Sequence, residues 1–185
     1  MPSIGRVIAA GGEARDVEWN ANFQRSLAPV PCEFFIEPAF GYTSEQTAPD
    51  GLGQRIRAAL DRLFADGEPA IVWAHNLAIA RNLSLARELA KACAARGIPM
   101  IAHHHDWWFD NRWLRWPEMQ RAGFRTLNEV ARTLFPATEN VRFAAINRAD
   151  ANLLRRHFGV RVKWLPNPVA RTLPPAANQI GRAHV

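Results

Sequence analysis

From residue 70 onward, short apolar runs alternate with amphipathic stretches of helical period. Ala70–Ala74, Pro99–Ala102, Val141–Ile146 and Val160–Leu165 are brief, bounded by Gly, Pro or polar residues, and read as strands of a parallel sheet. Between them, Leu83–Ala95, Leu127–Phe135 and Ala149–Phe158 carry helical spacing and stop at Gly97, Pro136 and Gly159. Leu52–Ala65 precedes this series. Its apolar positions Leu52, Ile56, Ala59, Leu60 and Leu63 fall on one helical face, with Asp50 as N-cap and Gly67 as stop. The first fifty residues are less regular. Arg6–Ala10 and Cys32–Ile36 read as strands, a short helix reaching Leu27 lies between them, and Gly11-Gly12 and Pro38–Pro49 read as turn and loop.

Strands alternating with helices predict βαβ units, hence an α/β fold with a Rossmann-like, mostly parallel sheet and helices on both faces. At 185 residues the chain is long enough for one domain with its own core. No apolar run approaches the roughly 20 residues that span a bilayer, and the start lacks a basic segment followed by an apolar core. Cys32 and Cys93 stand in different elements and read as reduced thiols of a cytoplasmic protein.

Charge changes the picture little. The net charge of +6 comes from 21 arginines and two lysines against 17 acidic residues, spread along the chain without a basic block. A nucleic-acid partner normally leaves a clustered footprint, so none is expected; a weak attraction to anionic substrates or peripheral contact with a membrane surface stays compatible.

Candidate chemistry gathers at the carboxyl ends of the predicted strands. His75-Asn76, His105-Asp106, Asn147-Arg148 and Asn167 each follow such a run. Parallel strands bring these tips to one sheet edge, where open α/β sheets bind ligands. A histidine there can bond a substrate hydroxyl or act as general base. The plain alternative for each tip is a helix cap or a partner for loop backbone. His103, His104 and His105 are consecutive, and in an extended segment only His103 and His105 share a side. A zinc site needs three converging ligands, and no spaced His or Cys pair supplies the third, so no metal is expected. Trp107, Trp108, Trp113 and Trp116 follow on an apparent loop. They suit stacking against a sugar ring, with Arg112 pairing a carboxylate or phosphate, or else they pack as a satellite core.

The last six residues, Ile-Gly-Arg-Ala-His-Val, are what ATC GGA AGA GCA CAC GTC encodes, the sequence of a common sequencing adapter. The expectation is that 180–185 are read-through, that the native sequence ends near Gln179 in this piece, and that the protein continues beyond it.

In order and spacing, Val72-Trp73-Ala74-His75-Asn76-Leu77, Ile101 to Asp106, Ala145-Ile146-Asn147 and Leu165-Pro166-Asn167-Pro168-Val169 resemble glycosyltransferases of the GT-B fold, family 4-like. The resemblance covers roughly residues 50 to 170. It implies one half of a GT-B fold: an acceptor-binding N-terminal domain over 1–173, the start of an interdomain linker over 174–179, and a missing C-terminal donor domain. It further implies sugar transfer from a nucleotide-sugar donor to a sugar or glycan acceptor with retention at the anomeric carbon, without a metal or other cofactor, and a fragment inactive alone. His105 matches the family's active-site histidine. By the same resemblance Asp106, His75 and Asn76 would line the acceptor side of the cleft and Asn167 the approach to the hinge, with His105 and Asp106 as the catalytic candidates; His103, Trp107, Trp108, Arg112 and Asn147 join them as substrate-binding candidates from their own placement. The start departs from the family pattern, which opens with a strand and a Gly-rich loop; Met1 is then internal, or the first unit is lost. Two other classes compete: a metal-dependent hydrolase using His103, His105 and Asp106, and a non-catalytic carbohydrate-binding module using the Trp plates.

Overall fold

The computed structural model describes residues 4–43, 51–109 and 112–167, of which 112–114 by their backbone alone. It contains β1 (Val7–Gly11), α1 (Val17–Leu27), β2 (Cys32–Ile36), α2 (Leu52–Leu63), β3 (Val72–His75), α3 (Leu83–Ala95), β4 (Met100–His104), α4 (Arg112–Arg121), α5 (Leu127–Leu134), β5 (Val141–Ala145), α6 (Arg148–Phe158) and β6 (Val162–Trp164). All pairings are parallel. β1 pairs with β2, and β3-β4-β5-β6 form a separate sheet in sequence order. The fold class is therefore α/β and Rossmann-like. None of the described helices is long and apolar enough to cross a membrane.

Register decides the faces of the four-stranded sheet. The row Ala74, Ala102, Phe143, Val162 lies on one side, together with Met100, His104, Val141 and Ala145. These residues are all buried; α6 and the end of α5 cover this side, and α3 packs against α5. Helices cluster here because sequential right-handed crossovers that advance in one direction put their helices on one face. The opposite row holds Trp73, Ile101 and Arg142, followed by His75, His103, Ala144 and Lys163. Trp73 is 52% exposed, and His75, Arg142 and Lys163 are exposed as well.

Local signals account for most helix starts. Asp16 accepts from Trp19 N, Asn82 from Leu85 N and Asn147 from Asp150 N, and Thr126 with Glu129 forms a full capping box. Asp50, expected to cap α2, lies outside the described residues; Gly51 occupies the N-cap position with φ +88° and no side-chain cap bond. The β1–β2 unit is tied to the rest through residues 39–43. Asn82 Nδ2 donates to Ala39 O (2.9 Å) and Gly41 O (2.8 Å), and Thr43 Oγ1 to Arg81 O (2.8 Å). Gly12 takes part in the same junction, since a Cβ there would lie 2.3 Å from the Gly41 backbone. Cys32 and Cys93 are both free thiols; burial pushes the Cys93 thiol up to about 11, so it is packing rather than a nucleophile.

One segment departs from the sequence reading. The Trp-rich stretch is not simply a loop: Arg112–Arg121 is helical despite Pro117 inside it. Tertiary contacts offset the hydrogen bond that proline removes. Arg115, 6% exposed, donates to the carbonyls of Ile79 and Ala80 and pairs with Glu118, while Met119 and the half-buried Trp116 pack on the core. The expected boundary at 173, the linker 174–179 and the tail 180–185 fall outside the described residues.

Two stability predictions follow from this packing. Arg115→Ala leaves two carbonyls and a carboxylate without their buried donor and should lower unfolding free energy by about 2–4 kcal/mol in urea titration. An unchanged midpoint would show that water replaces the guanidinium at no cost. His104 is wholly buried among Phe143, Phe135 and Trp107, and neither ring nitrogen has a hydrogen-bond partner among the described residues. Burial first, then the neighbouring His103 and His105, lowers its pKa to about 3. The unfolded chain takes up the proton near pH 6.5 and the folded chain does not. Stability should therefore fall, by at most about 1.4 kcal/mol per pH unit, as pH drops from about 6.5 toward 3. His104→Phe should flatten that slope in thermal melts, and an unaltered slope would assign the acid sensitivity elsewhere.

Candidate functional site

Alternation and register together build a cluster of three imidazoles. His75 ends β3 and pairs in register with His103 of β4, and His105, two residues on, returns to the same side. Ring centroids stand 4.3 Å apart for His75–His105, 4.6 Å for His103–His105 and 6.2 Å for His75–His103. One nitrogen from each ring lies within 4.8 Å of the others. His104, between them in sequence, points the opposite way into the core.

Each ring has a different setting. His103 is 4% exposed, and its Nε2 is 2.9 Å from Leu165 O. A carbonyl can only accept, so Nε2 carries a proton and donates. His105 is half-buried, and its Nε2 finds no hydrogen-bond partner among the described residues. His75 is exposed. Desolvation, followed by the charge of neighbouring imidazoles, holds His75 and His105 below the ordinary histidine value, and Asp106 pulls weakly the other way. Both rings are neutral at pH 7 and can accept a bond.

Asn76 positions the rest. It adopts φ +57°, a left-handed conformation that Asn tolerates better than most residues. Its Oδ1 accepts from the backbone of His105 (3.1 Å) and Asp106 (2.9 Å), while its Nδ2 donates to Asp106 Oδ2 (2.7 Å). The amide therefore fixes the turn that carries His105 and Asp106, leaving Asp106 exposed with its carboxylate anchored.

Of the residues anticipated from sequence, the structure brings together His75, Asn76, His103, His105 and Asp106. Others stand elsewhere. Asn147 is the N-cap of α6 and donates to Asp150 (2.7 Å), so its side chain is committed to the cap rather than to the cluster. Trp107 and Trp108 are 7% and 6% exposed. Trp107 stacks on Phe109 at 5.7 Å and meets Phe135, while the Trp108 amide donates to Ala78 O at 2.7 Å. They are core residues, not presented plates, because the turn after β4 folds back onto the Leu77–Ile79 turn. Asn167 is exposed past β6, and the Arg112 and Trp113 side chains lie outside the description.

The aromatic beside the cluster is instead Trp73. It is half exposed, with its ring 5.5 Å from and edge-on to His103. It escaped sequence reading as a site residue because it sits inside an apolar run. The alternation that separates it from Ala74, and its placement two residues before His75, were the usable signal. Lone pairs from neutral imidazoles, an anchored carboxylate and an exposed indole form a surface able to bond hydroxyls and stack on a ring.

No known protein family's sequence profile matches the chain, and no solved structure matches it. Among curated proteins, it is similar to a glycosyltransferase, the mannosylglucosyl-3-phosphoglycerate synthase of Petrotoga mobilis (strain DSM 10674 / SJ95). The two are 28% identical over 105 residues, which is 55% of this chain and 19% of that protein. The matched part thus spans about a fifth of the relative's length, and the similarity supports glycosyl transfer in general.

Proposed function

We propose that this chain is the acceptor-side domain of a retaining glycosyltransferase of the GT-B type. In this reading a nucleotide-sugar donor, held mainly by a second domain, gives its sugar to a sugar or glycan acceptor at the β3–β4 edge, in the cytoplasm and without a metal or other cofactor in the transfer. The observation that carries the proposal is the similarity to a glycosyltransferase. The clustering of His75, His105 and Asp106 at the carboxyl edge of a parallel sheet supports it.

The chemistry assigns roles. His105, neutral at pH 7, accepts a hydrogen bond from a sugar hydroxyl or takes its proton. Asp106, anchored by Asn76, accepts from a neighbouring hydroxyl. Trp73 offers its exposed face to a pyranose ring. Asn76 is a positioning residue, since its own amide is spent on the turn. The carbohydrate-binding reading that relied on Trp107 and Trp108 loses its plates to the core.

The test begins with the parent gene, read past codon 179. The full-length product should transfer radiolabelled sugar from one of a panel of nucleotide-sugars, and the 185-residue piece should turn over none. In the full-length enzyme, His105→Ala should lower kcat by about 10²–10⁴-fold, the range of a lost general acid or base. Trp73→Ala should mainly raise the acceptor KM. Full activity in the His105 variant, or hydrolysis without transfer by the parent, would overturn the reading.

A further inference from the structure

Sugar transfer as proposed above calls for no metal, yet the three imidazoles have a geometry of their own. We propose that His75, His103 and His105 bind one divalent transition-metal ion of the zinc class, with a coordination position left open to solvent or to an oxygen ligand.

Geometry is the first argument. Zinc–nitrogen bonds of about 2.0–2.1 Å in tetrahedral array place the centroids of two ligating imidazoles about 5 Å apart. The three observed separations, 4.3, 4.6 and 6.2 Å, straddle that value. The three nitrogens already lie within 4.8 Å of one another, a spacing that one ion can draw together.

The scaffold is the second. The ligands are not a loop cluster. His75 and His103 are registered neighbours on paired strands, and His105 is tied by its backbone amide to Asn76 Oδ1 (3.1 Å). Sites carried on rigid elements keep their ligands placed before the ion arrives.

Donor chemistry is the third. His103 shows the outer-sphere bond typical of metal-ligating histidines, one nitrogen against a backbone carbonyl, Leu165 O at 2.9 Å, which fixes the tautomer and leaves the other nitrogen as ligand. The buried Nε2 of His105 has no partner among the described residues. Three imidazole nitrogens favour Zn²⁺, Co²⁺, Ni²⁺ or Cu²⁺ over the oxygen-seeking Mg²⁺ and Ca²⁺. Three protein ligands leave the fourth tetrahedral position open, and the Asp106 carboxylate, held beside them by Asn76 (2.7 Å), supplies compensating negative charge. The lone pairs that would hold the ion are those that would bond a sugar hydroxyl, so ion and sugar exclude each other at this edge.

The experiment titrates the metal-stripped 185-residue chain with Co²⁺, following the visible absorption of tetrahedral cobalt, then displaces it with Zn²⁺. One equivalent should bind. His75→Ala, at an exposed position that leaves the core untouched, and His105→Ala should each weaken binding by at least about 10-fold. His157→Ala, which removes an exposed histidine of α6 outside the cluster, should change nothing. Far-UV circular dichroism checks that each variant is folded, and Mg²⁺ should produce no displacement. Absence of cobalt binding, unchanged affinity in a folded His75→Ala chain, or loss that follows His157 instead would each overturn the proposal.

Discussion

The parallel register between β3 and β4 is the constraint on which the site depends. Val72 pairs with Met100 and His75 with His103, so each face of the sheet receives every second residue of both strands. A slip of one residue would send His104 to the open side and put His103 and His105 into the core. That error would be costly. Phe143, Phe135 and Trp107 surround the place that His104 fills, and Met100 and Ala102 belong to the same buried row. Hydrophobic burial on the helix side thus fixes which imidazoles meet on the other. The chemistry is positioned by packing it does not touch.

The turn after β4 converts that register into a site. A strand end alone would leave His105 and Asp106 free to take many conformations. Asn76, from the neighbouring strand, uses both ends of its amide to accept their backbone N–H groups and to hold the Asp106 carboxylate. Its left-handed backbone aims the side chain across the strand gap, and Arg115 then clamps the next turn by the carbonyls of Ile79 and Ala80. The buried guanidinium explains why a helix containing Pro117 is held at this place. Order therefore passes from α4, through the Leu77–Ile79 turn, to the residues that face a ligand.

Much of this was legible in the sequence, and the failures have physical reasons. Strand and helix identities from residue 52 onward followed from periodicity, because each element buries one face and the pattern records it. The pairing of His103 with His105 also followed from the two-residue period of a strand. That His75 stands at the same edge followed from the shared strand ends, but its register directly opposite His103 did not, since register between strands 28 residues apart is a tertiary property. The Trp-rich segment misled in two ways. Tryptophans beside a polar cluster look alike whether they face a ligand or the core, and only the fold-back of Trp108 onto Ala78 decides between them. The same segment reads as a loop, yet Arg112–Arg121 is a helix that contains Pro117 and that tertiary contacts hold. Asn147 illustrates the opposite lesson: a polar residue after a strand and before a helix is also where an N-cap belongs, and capping is what it does.

The open sheet face gives the two proposed roles of the cluster a common physical basis. On the helix side, the His104 nitrogens have no partner among the described residues and the ring stands as a neutral, aromatic filler. On the other side the same residue type keeps a lone pair near solvent while neighbouring rings and partial burial disfavour its protonation. A neutral imidazole with an available lone pair is a base toward a hydroxyl and a ligand toward a soft cation, and both uses compete with the proton. Protonation of His75 or His105 removes a lone pair that both uses need, so acidification would weaken the two together. Above the range where they protonate, the occupant is settled by chemistry alone: a cation draws on all three lone pairs at once, whereas a sugar hydroxyl needs only one and leaves the indole of Trp73 to supply the remaining contact.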